Sequence, residues 1–302
     1  MDQKSKIILI AGPTASGKSI FAIKLAKKIN GEIINADSMQ VYKQLNILTA
    51  RLKKKDQKNI KHHLYGFQSV TKKFSTGVWL KLASSKIRKI QKRKKIPILV
   101  GGTGLYFKSI IEGLVKIPNI PLGYRNKVRL LQKKIGQKKF YRNLIKIDPL
   151  IKNKINPNDV QRALRAYEIK KFTKKSITQW FKRTKVLFDP KSFEKIYIDF
   201  PREELLNRIQ KRVNQMFVEG AILEVKKFNR LKVKKENSSN KIIGIEEITK
   251  FLNGELSLLQ AKERIFIKTR QYAKRQTTWA RGQMSSWQKI HPNNLNLILK
   301  RL

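Results

Sequence analysis

The stretch Gly12-Pro13-Thr14-Ala15-Ser16-Gly17-Lys18-Ser19 fits G-x-x-x-x-G-K-[ST] at every fixed position. Such a loop cradles a phosphate only when it leaves a strand and opens a helix. Both flanks are present. Ile7-Ile8-Leu9-Ile10-Ala11 is a short apolar run before it. Phe21, Ala22, Leu25, Ala26 and Ile29 form a helical stripe after it, with Lys24, Lys27 and Lys28 off the stripe. The glycines let backbone N–H groups turn inward, and Lys18 adds a point charge. The helix beginning near Gly17 aims its positive dipole end at the anion. Ser19 can place a hydroxyl on a magnesium ion. The loop predicts an α/β fold: a phosphate-loop type of parallel sheet flanked by helices. It selects a phosphate or diphosphate ligand without saying which.

Length and charge bound the rest. The chain has 302 residues and is 40% hydrophobic, enough for one large domain or two smaller ones. Cysteine is absent, which excludes a disulfide framework and cysteine-ligated zinc. Met1 to Lys6 are polar, and no leader or long apolar span is visible. The expectation is a soluble cytoplasmic chain that does not enter a membrane. Lys and Arg number 69 against 20 Asp and Glu, a formal charge of +49. That favours a polyanionic partner, nucleic acid first. Drift in a composition rich in Lys, Ile and Asn is the competing source. Lys53-Lys54-Lys55 and Lys92-Arg93-Lys94-Lys95 read as solvated faces.

Glu32 to Asn35 is predicted as a second strand that delivers Asp37 and Ser38 to a loop. Loops at the carboxyl ends of parallel strands surround the ligand, which places Asp37 near the phosphate loop. A turn or helix cap is its alternative role. Residues 43–76 are polar and irregular. Their His62-His63 pair lacks a third ligand, which favours a loop or RNA contact over a metal. Val78, Leu80, Leu82, Ala83, Ile87 and Ile90 mark a helix. Ile96 to Val100 reads as a buried parallel strand. Gly101-Gly102-Thr103-Gly104 follows, where glycines permit close approach to a ligand and Thr103 caps the next helix or bonds substrate.

From about Pro118 to Pro190 only helical stripes remain: Val128, Leu131, Ile135; Tyr141, Leu144, Ile145; Val160, Ala163, Leu164, Tyr167, Ile169. The prediction is a helical insertion domain, 118–190, in a core made of 1–117 and 191–302. Gln161, Arg162 and Arg165 open the third helix; a solvated basic helix is the plain alternative to an RNA contact. Lys195 to Phe200 returns to strand. The helix after Pro201 carries Leu205, Ile209, Val213 and Met216, with Arg208 and Arg212 on a neighbouring face. Ala221 to Leu231 forms another. A last long helix, Leu258 to Arg281, has an apolar seam of Leu258, Ala261, Ile265, Tyr272 and Trp279. Arg264, Lys268, Gln271 and Arg275 line one flank, and Arg270, Lys274 and Arg281 the other. Two such rows suit a helix that docks on the core and shows cations to a phosphate backbone.

Assembled, these residues resemble the tRNA dimethylallyltransferase (tRNA isopentenyltransferase) family. The matches run in family order over almost the whole chain. They are Gly12 to Ser19; Asp37-Ser38-Met39-Gln40-Val41-Tyr42; Gly101-Gly102-Thr103 with Leu105-Tyr106-Phe107; and Pro157-Asn158-Asp159 with Gln161-Arg162. Arg212, Met216 and Gly220, then Thr269-Arg270-Gln271 with Ala273-Lys274-Arg275-Gln276 and Trp279, complete the set. The phosphate loop alone is unspecific; the ordered set is specific. The resemblance implies transfer of a dimethylallyl group from its diphosphate to N6 of the adenine 3′ of the anticodon. It implies Asp37 as general base, with Thr103 beside it. Lys18, Arg212 and Gly12 to Ser19 hold the diphosphate, with Mg2+ on Ser19. The tRNA anticodon loop meets Asp37, Ser38, Met39, Gln40 and Thr103. Further tRNA contacts are Arg125, Gln161, Arg162, Ala163, Leu164, Arg165, Arg270, Lys274, Arg275 and Arg281. The chain is expected to act as a monomer.

Three places depart from the family. Gly244-Ile245-Glu246 stands for Gly-Tyr-Arg, a charge reversal at an RNA contact that the resemblance implies. Thr49-Ala50-Arg51-Leu52 stands for Thr-Ala-Lys-Pro, and Phe172-Thr173-Lys174 lacks a glycine. The main rival is a P-loop small-molecule or nucleoside kinase, which would bind ATP at the same loop. It leaves the basic last helix and the block from Asp37 to Tyr42 unexplained. An RNA-binding NTPase would want a strand ending in Asp or Glu, whereas Ile96 to Val100 runs into Gly101-Gly102.

Overall fold

Ile7–Ala11 (β1) is buried along its whole length, as a strand covered on both faces must be. The computed structural model describes residues 6–57 and 59–301; the polar opening, residues 1–5, lies outside them. Gly31–Asn35 (β2), His62–His63 (β3), Ile96–Gly101 (β4), Phe193–Ile198 (β5) and Gln288–Ile290 (β6) join β1 in one parallel sheet, ordered β3-β2-β4-β1-β5-β6. Leu9 of β1 lies opposite Leu99 on one side and Lys195 on the other.

Alternation along β1 feeds two cores. Ile8 and Ile10 pack with Phe21, Ala22 and Leu25 of Lys18–Lys28 (α1). Ile7 and Leu9 pack with Trp79, Ala83 and Ile87 of Thr76–Lys92 (α2) and Phe107 of Gly104–Glu112 (α3). Trp79 is fully buried, its indole N–H donates to the Asn35 carbonyl at 2.8 Å, and its ring stacks on Tyr106 at 4.1 Å. Burying a large apolar side chain contributes about 1.5–3 kcal/mol. The bond from the same side chain pins the end of β2, where the Asp37 loop begins.

Contacts divide the chain into two compact units, Met1–Ile111 with Phe188–Leu302, and Glu112–Leu187. In the first unit a further cluster joins residues 41–48 to Arg202–Val218 (α8), Ala221–Arg230 (α9), Ile245–Leu252 (α10) and Leu258–Gln283 (α11). The second unit packs Leu122–Ile135 (α4), Gln137–Ile147 (α5) and Val160–Thr173 (α6) around Val128, Phe140, Leu144, Ala163 and Leu164, with Ile177–Phe181 (α7) beside them. Lys174 ends α6 at φ 61°, the left-handed position that a glycine fills without strain. That is where the family glycine is missing.

The predicted strands and helices are present. Two elements were not anticipated after the long helix: β6, and Leu295–Arg301 (α12). Both are too short for a readable period. The His62-His63 reading is corrected. The pair is strand β3, half-buried at the sheet edge, with Ile33 opposite His62. His63 Nε2 lies 2.7 Å from the buried Glu32 carboxylate, which also accepts from Arg93 at 2.7 Å. Among the described residues no helix is long and apolar enough to cross a membrane.

Candidate active site

The phosphate loop follows from two left-handed residues. Gly17 caps α1 at φ 81°, and Ala15 has φ 64°. The Lys18 ammonium donates to the Pro13 carbonyl at 3.0 Å. From α8, Arg212 donates to the Thr14 hydroxyl at 2.7 Å. Arg208, one turn earlier, lies over the Phe200 ring at 4.9 Å. The Thr14 N–H is already engaged: it donates to the Gln276 carboxamide oxygen at 2.8 Å, and the Gln276 nitrogen donates to the Gly102 carbonyl at 3.0 Å. A single side chain of α11 thus ties the loop after β1 to the loop after β4.

β2 and β4 end side by side. Asp37 N–H donates to Asn35 Oδ1 at 2.8 Å, and Met39 N–H donates to Asp37 Oδ1 at 2.9 Å. Asp37 therefore serves as a local cap, and it also faces the cavity. The Thr103 hydroxyl accepts the Ser38 N–H at 2.9 Å and donates to Ser38 Oγ at 3.2 Å, while Thr103 N–H donates to the Ala36 carbonyl. Thr103 fastens the Asp37–Ser38 segment. The glycines beside it approach the protein rather than a ligand, which corrects the sequence reading. A Cβ on Gly101 would lie 2.1 Å from the Ala36 carbonyl, and one on Gly104 would lie 2.2 Å from the Trp279 ring.

The phosphate loop, Asp37 and Arg212 line a cavity of about 300 Å³; Ser38, Thr103 and Gln276 brace it from behind. Lys18, Ser19, Arg208, Arg212, Asp37 and Gln40 supply much of its polar lining, with Lys241 a further cation, and Leu48, Val213, Met216, Ile242 and Tyr272 much of its apolar lining. Burial brings Lys18 down to about 8, opposed by Asp37 and reinforced by Arg212. Burial lowers Arg212 as well, with Asp37 acting against it. The phenols of Tyr65, Tyr106 and Tyr272 are raised by burial first and by the Asp37 carboxylate second. Five groups, among them Lys18, Arg212 and Tyr272 of the cavity itself, feel the Asp37 carboxylate, a pattern typical of functional sites.

A pH dependence follows. In the ligand-free protein Lys18 loses its proton near pH 8, not near 10.5. A diphosphate monoester sheds its last proton near about pH 6, so above neutrality only the protein titrates. Its affinity should be level up to about pH 7 and fall roughly tenfold per pH unit above about pH 8, until the neutral amine sets a floor. Calorimetric titration from pH 6.5 to 9.5 measures this, and a flat profile contradicts it.

The expected RNA contacts divide. Arg270, Lys274, Arg275 and Arg281 are exposed along α11. Lys268, in the row of Arg264 and Arg275, is neutralised by Glu246 at 2.7 Å and Glu247 at 2.5 Å. The reversed charge at Glu246 thus has local cations, Lys250 at 3.2 Å among them. In the second unit Gln161 and Arg162 are exposed, while Arg125 and Arg165 sit against buried Glu168 at 3.9 and 3.5 Å. Ala163 and Leu164 are corrected: they are 0% and 7% exposed within that unit's core. They lie on the apolar face of α6, about 100° per residue around from Arg162, and their side chains do not reach solvent RNA.

Gln276 and Tyr272 were not singled out for the site. Their signal was a polar residue four positions after a stripe tyrosine, on one helix face. No group of three or more His, Cys, Asp or Glu among the described residues could hold a metal. The donor expected for one, the Ser19 hydroxyl, lines the cavity. That fits a magnesium ion carried on substrate phosphate oxygens and water, not an all-protein cage.

A strand–loop–helix anion cradle facing a carboxylate, at the carboxyl edge of a parallel sheet, defines a phosphate-loop α/β protein suited to group transfer. Residues 40–283 match the IPP transferase family model, and residues 5–73 the Isopentenyl transferase model. The chain is 63% identical to the tRNA dimethylallyltransferase of Pelagibacter ubique (strain HTCC1062), over 100% of this chain and 96% of that one. It aligns at TM-score 0.81 with a solved structure of a eukaryotic dimethylallyltransferase acting on tRNA, 30% identical, over 95% of this chain and 74% of that one. It aligns at 0.71 with the full-length tRNA isopentenylpyrophosphate transferase of Bacillus halodurans, 32% identical, over 98% and 95%. The chain belongs to the IPP transferase family.

Proposed function

We infer that this protein transfers a dimethylallyl group from dimethylallyl diphosphate to N6 of the adenine immediately 3′ of the anticodon, in tRNAs reading codons that begin with U. The observation that carries the reading is one cavity lined by the carboxylate of Asp37 and the cations Lys18 and Arg212. An exocyclic adenine amine is a weak nucleophile because its lone pair is conjugated with the ring. As N6 bonds to the allylic carbon, the carbon–oxygen bond to diphosphate breaks and the N6 proton passes to Asp37. Lys18 and Arg212 offset the charge gathering on the departing oxygens. A magnesium ion, held by Ser19 and the diphosphate, would supply further charge neutralisation there. Thr103 holds the Asp37–Ser38 backbone at its height in the cavity. The acceptor base must leave its stack to enter, which an anticodon loop permits at modest cost.

The kinase alternative shares the loop, but the family match and both solved relatives favour prenyl transfer. The reading includes a cytoplasmic, monomeric protein. Its test is to incubate the protein with labelled dimethylallyl diphosphate and total unmodified tRNA, then digest the tRNA. Label in N6-(dimethylallyl)adenosine is expected; unlabelled tRNA, with transfer of phosphate from labelled ATP to a small acceptor in a parallel incubation, would favour the kinase. The basic face of α11 has its own test. Reversing Arg270 and Lys274 to Glu should weaken tRNA binding and flatten the log K against log salt slope by about 1.4 to 1.8, with donor affinity near wild type. Indifference of tRNA affinity to both changes would make that face a solvated surface only.

A further inference from the structure

We propose that Glu224 is a positioning residue whose carboxylate fixes the acceptor side of the cavity rim; this rests on the prenyl-transfer reading above. Glu224 lies in the first turn of α9 and is 9% exposed. Its Oε1 accepts the N–H of Asn46 at 2.6 Å and of Ile47 at 2.9 Å, and its Oε2 accepts the N–H of Leu48 at 2.9 Å. Three successive N–H groups converging on one point make an anion cradle, and here the protein supplies the anion itself. Bonds to an ionised acceptor are roughly twice as strong as neutral ones.

The carbonyl side of the same loop is held by a cation. Arg51 donates to the Tyr42 carbonyl at 2.8 Å, the Lys43 carbonyl at 3.3 Å and Asn46 Oδ1 at 3.0 Å. Arg51 stands where the family has Lys, and its fork makes three directed bonds to one loop, a geometry that suits guanidinium. The last clamped residue, Leu48, and those after it, Thr49, Ala50 and Leu52, line the cavity. Gln40, three residues from Asp37, donates to the Thr49 carbonyl at 2.9 Å. The rim therefore meets the cavity on the Asp37 side. Glu224 touches none of the reacting groups but holds the backbone from which that side is built.

The test is Glu224→Gln, which keeps the shape but turns an N–H donor toward backbone donors. With unmodified tRNA and dimethylallyl diphosphate, KM for tRNA should rise about 10- to 100-fold, the cost of a slight misplacement of binding groups. kcat at saturating tRNA and the donor dissociation constant should stay within about threefold. Amide exchange at Asn46, Ile47 and Leu48 should quicken, with the β1 and β4 amides unchanged. Arg51→Lys, which loses the fork, should move KM the same way by a smaller factor, and it carries the test if Glu224→Gln does not fold. An unchanged KM for tRNA in a folded variant overturns the proposal, as does an equal loss in donor and tRNA affinity, which would mark a merely structural role. If the wild-type protein modifies no tRNA at all, the parent reading fails instead; tRNA affinity and amide exchange in the two variants then decide on Glu224.

Discussion

Asp37→Asn is expected to slow single-turnover transfer by about 10²- to 10⁴-fold, the range for removing a positioned base, with tRNA and donor still bound. The structure makes the substitution clean. Met39 N–H is accepted by Asp37 Oδ1, and an asparagine oxygen can accept it equally, so the turn survives. What is lost is the charge and the ability to take a proton. The charge has one side effect that fixes the conditions. Asp37 opposes the burial that lowers Lys18, so without it Lys18 loses its proton at a lower pH than in the wild type. Donor affinity should therefore be compared at about pH 6.5, where Lys18 is charged in the wild type and closest to full charge in the variant. Single-turnover rates with both substrates bound then isolate the chemical step. A variant that transfers at the wild-type single-turnover rate would leave Asp37 as a cap alone, and the amine proton would pass to water or to the departing diphosphate.

How much of this site could be read from the chain depends on the range of the contact. The loop Gly12 to Ser19 and the strand before it were legible because local pattern sets both: an apolar run, a fixed spacing, a helical stripe. Asp37 was placed near the loop by a rule of parallel sheets, and it lines the same cavity as Lys18. Gln276 was legible only as a letter in a motif. Its role depends on Thr14 and Gly102, both far away in sequence, and nothing local announces a side chain that bridges two loops. The glycines of 101–104 show the opposite failure. Their composition announced close approach, yet whether backbone, helix or ligand fills the space is a tertiary fact. Ala163 and Leu164 were misassigned because they sit between charged neighbours in a motif; the helical period of their own stripe already placed them inside. Lys268 misled for a related reason. Its basic row was read from one helix, and the carboxylates that cancel it come from α10.

Lys18→Ala should cut affinity for a diphosphate ligand about 10- to 150-fold, the span of one charge-assisted contact, and reduce transfer with it at subsaturating donor. The loss should fall on the donor and leave tRNA binding near wild type, since the exposed cations of α11 are untouched. The fold is expected to survive. The Lys18 ammonium makes a bond to the Pro13 carbonyl at 3.0 Å, but its pKa in the folded protein is depressed to about 8, so below that pH its charge is a cost to folding, not a support. The sign can be checked. Between about pH 8 and 10.5 the unfolded chain holds the Lys18 proton that the folded chain has released, so this residue makes the wild type gain stability as pH rises. Lys18→Ala lacks that gain. Its melting temperature should equal or exceed that of the wild type at pH 7, and the difference should shrink toward pH 10. A variant that binds the donor as well as the wild type would remove Lys18 from diphosphate binding and leave Arg212, Arg208 and the loop backbone to carry it. A variant that loses donor binding while melting well below the wild type at pH 7 would mean that the lysine holds the loop together, and that the empty-handed loop is misfolded rather than merely short of a charge.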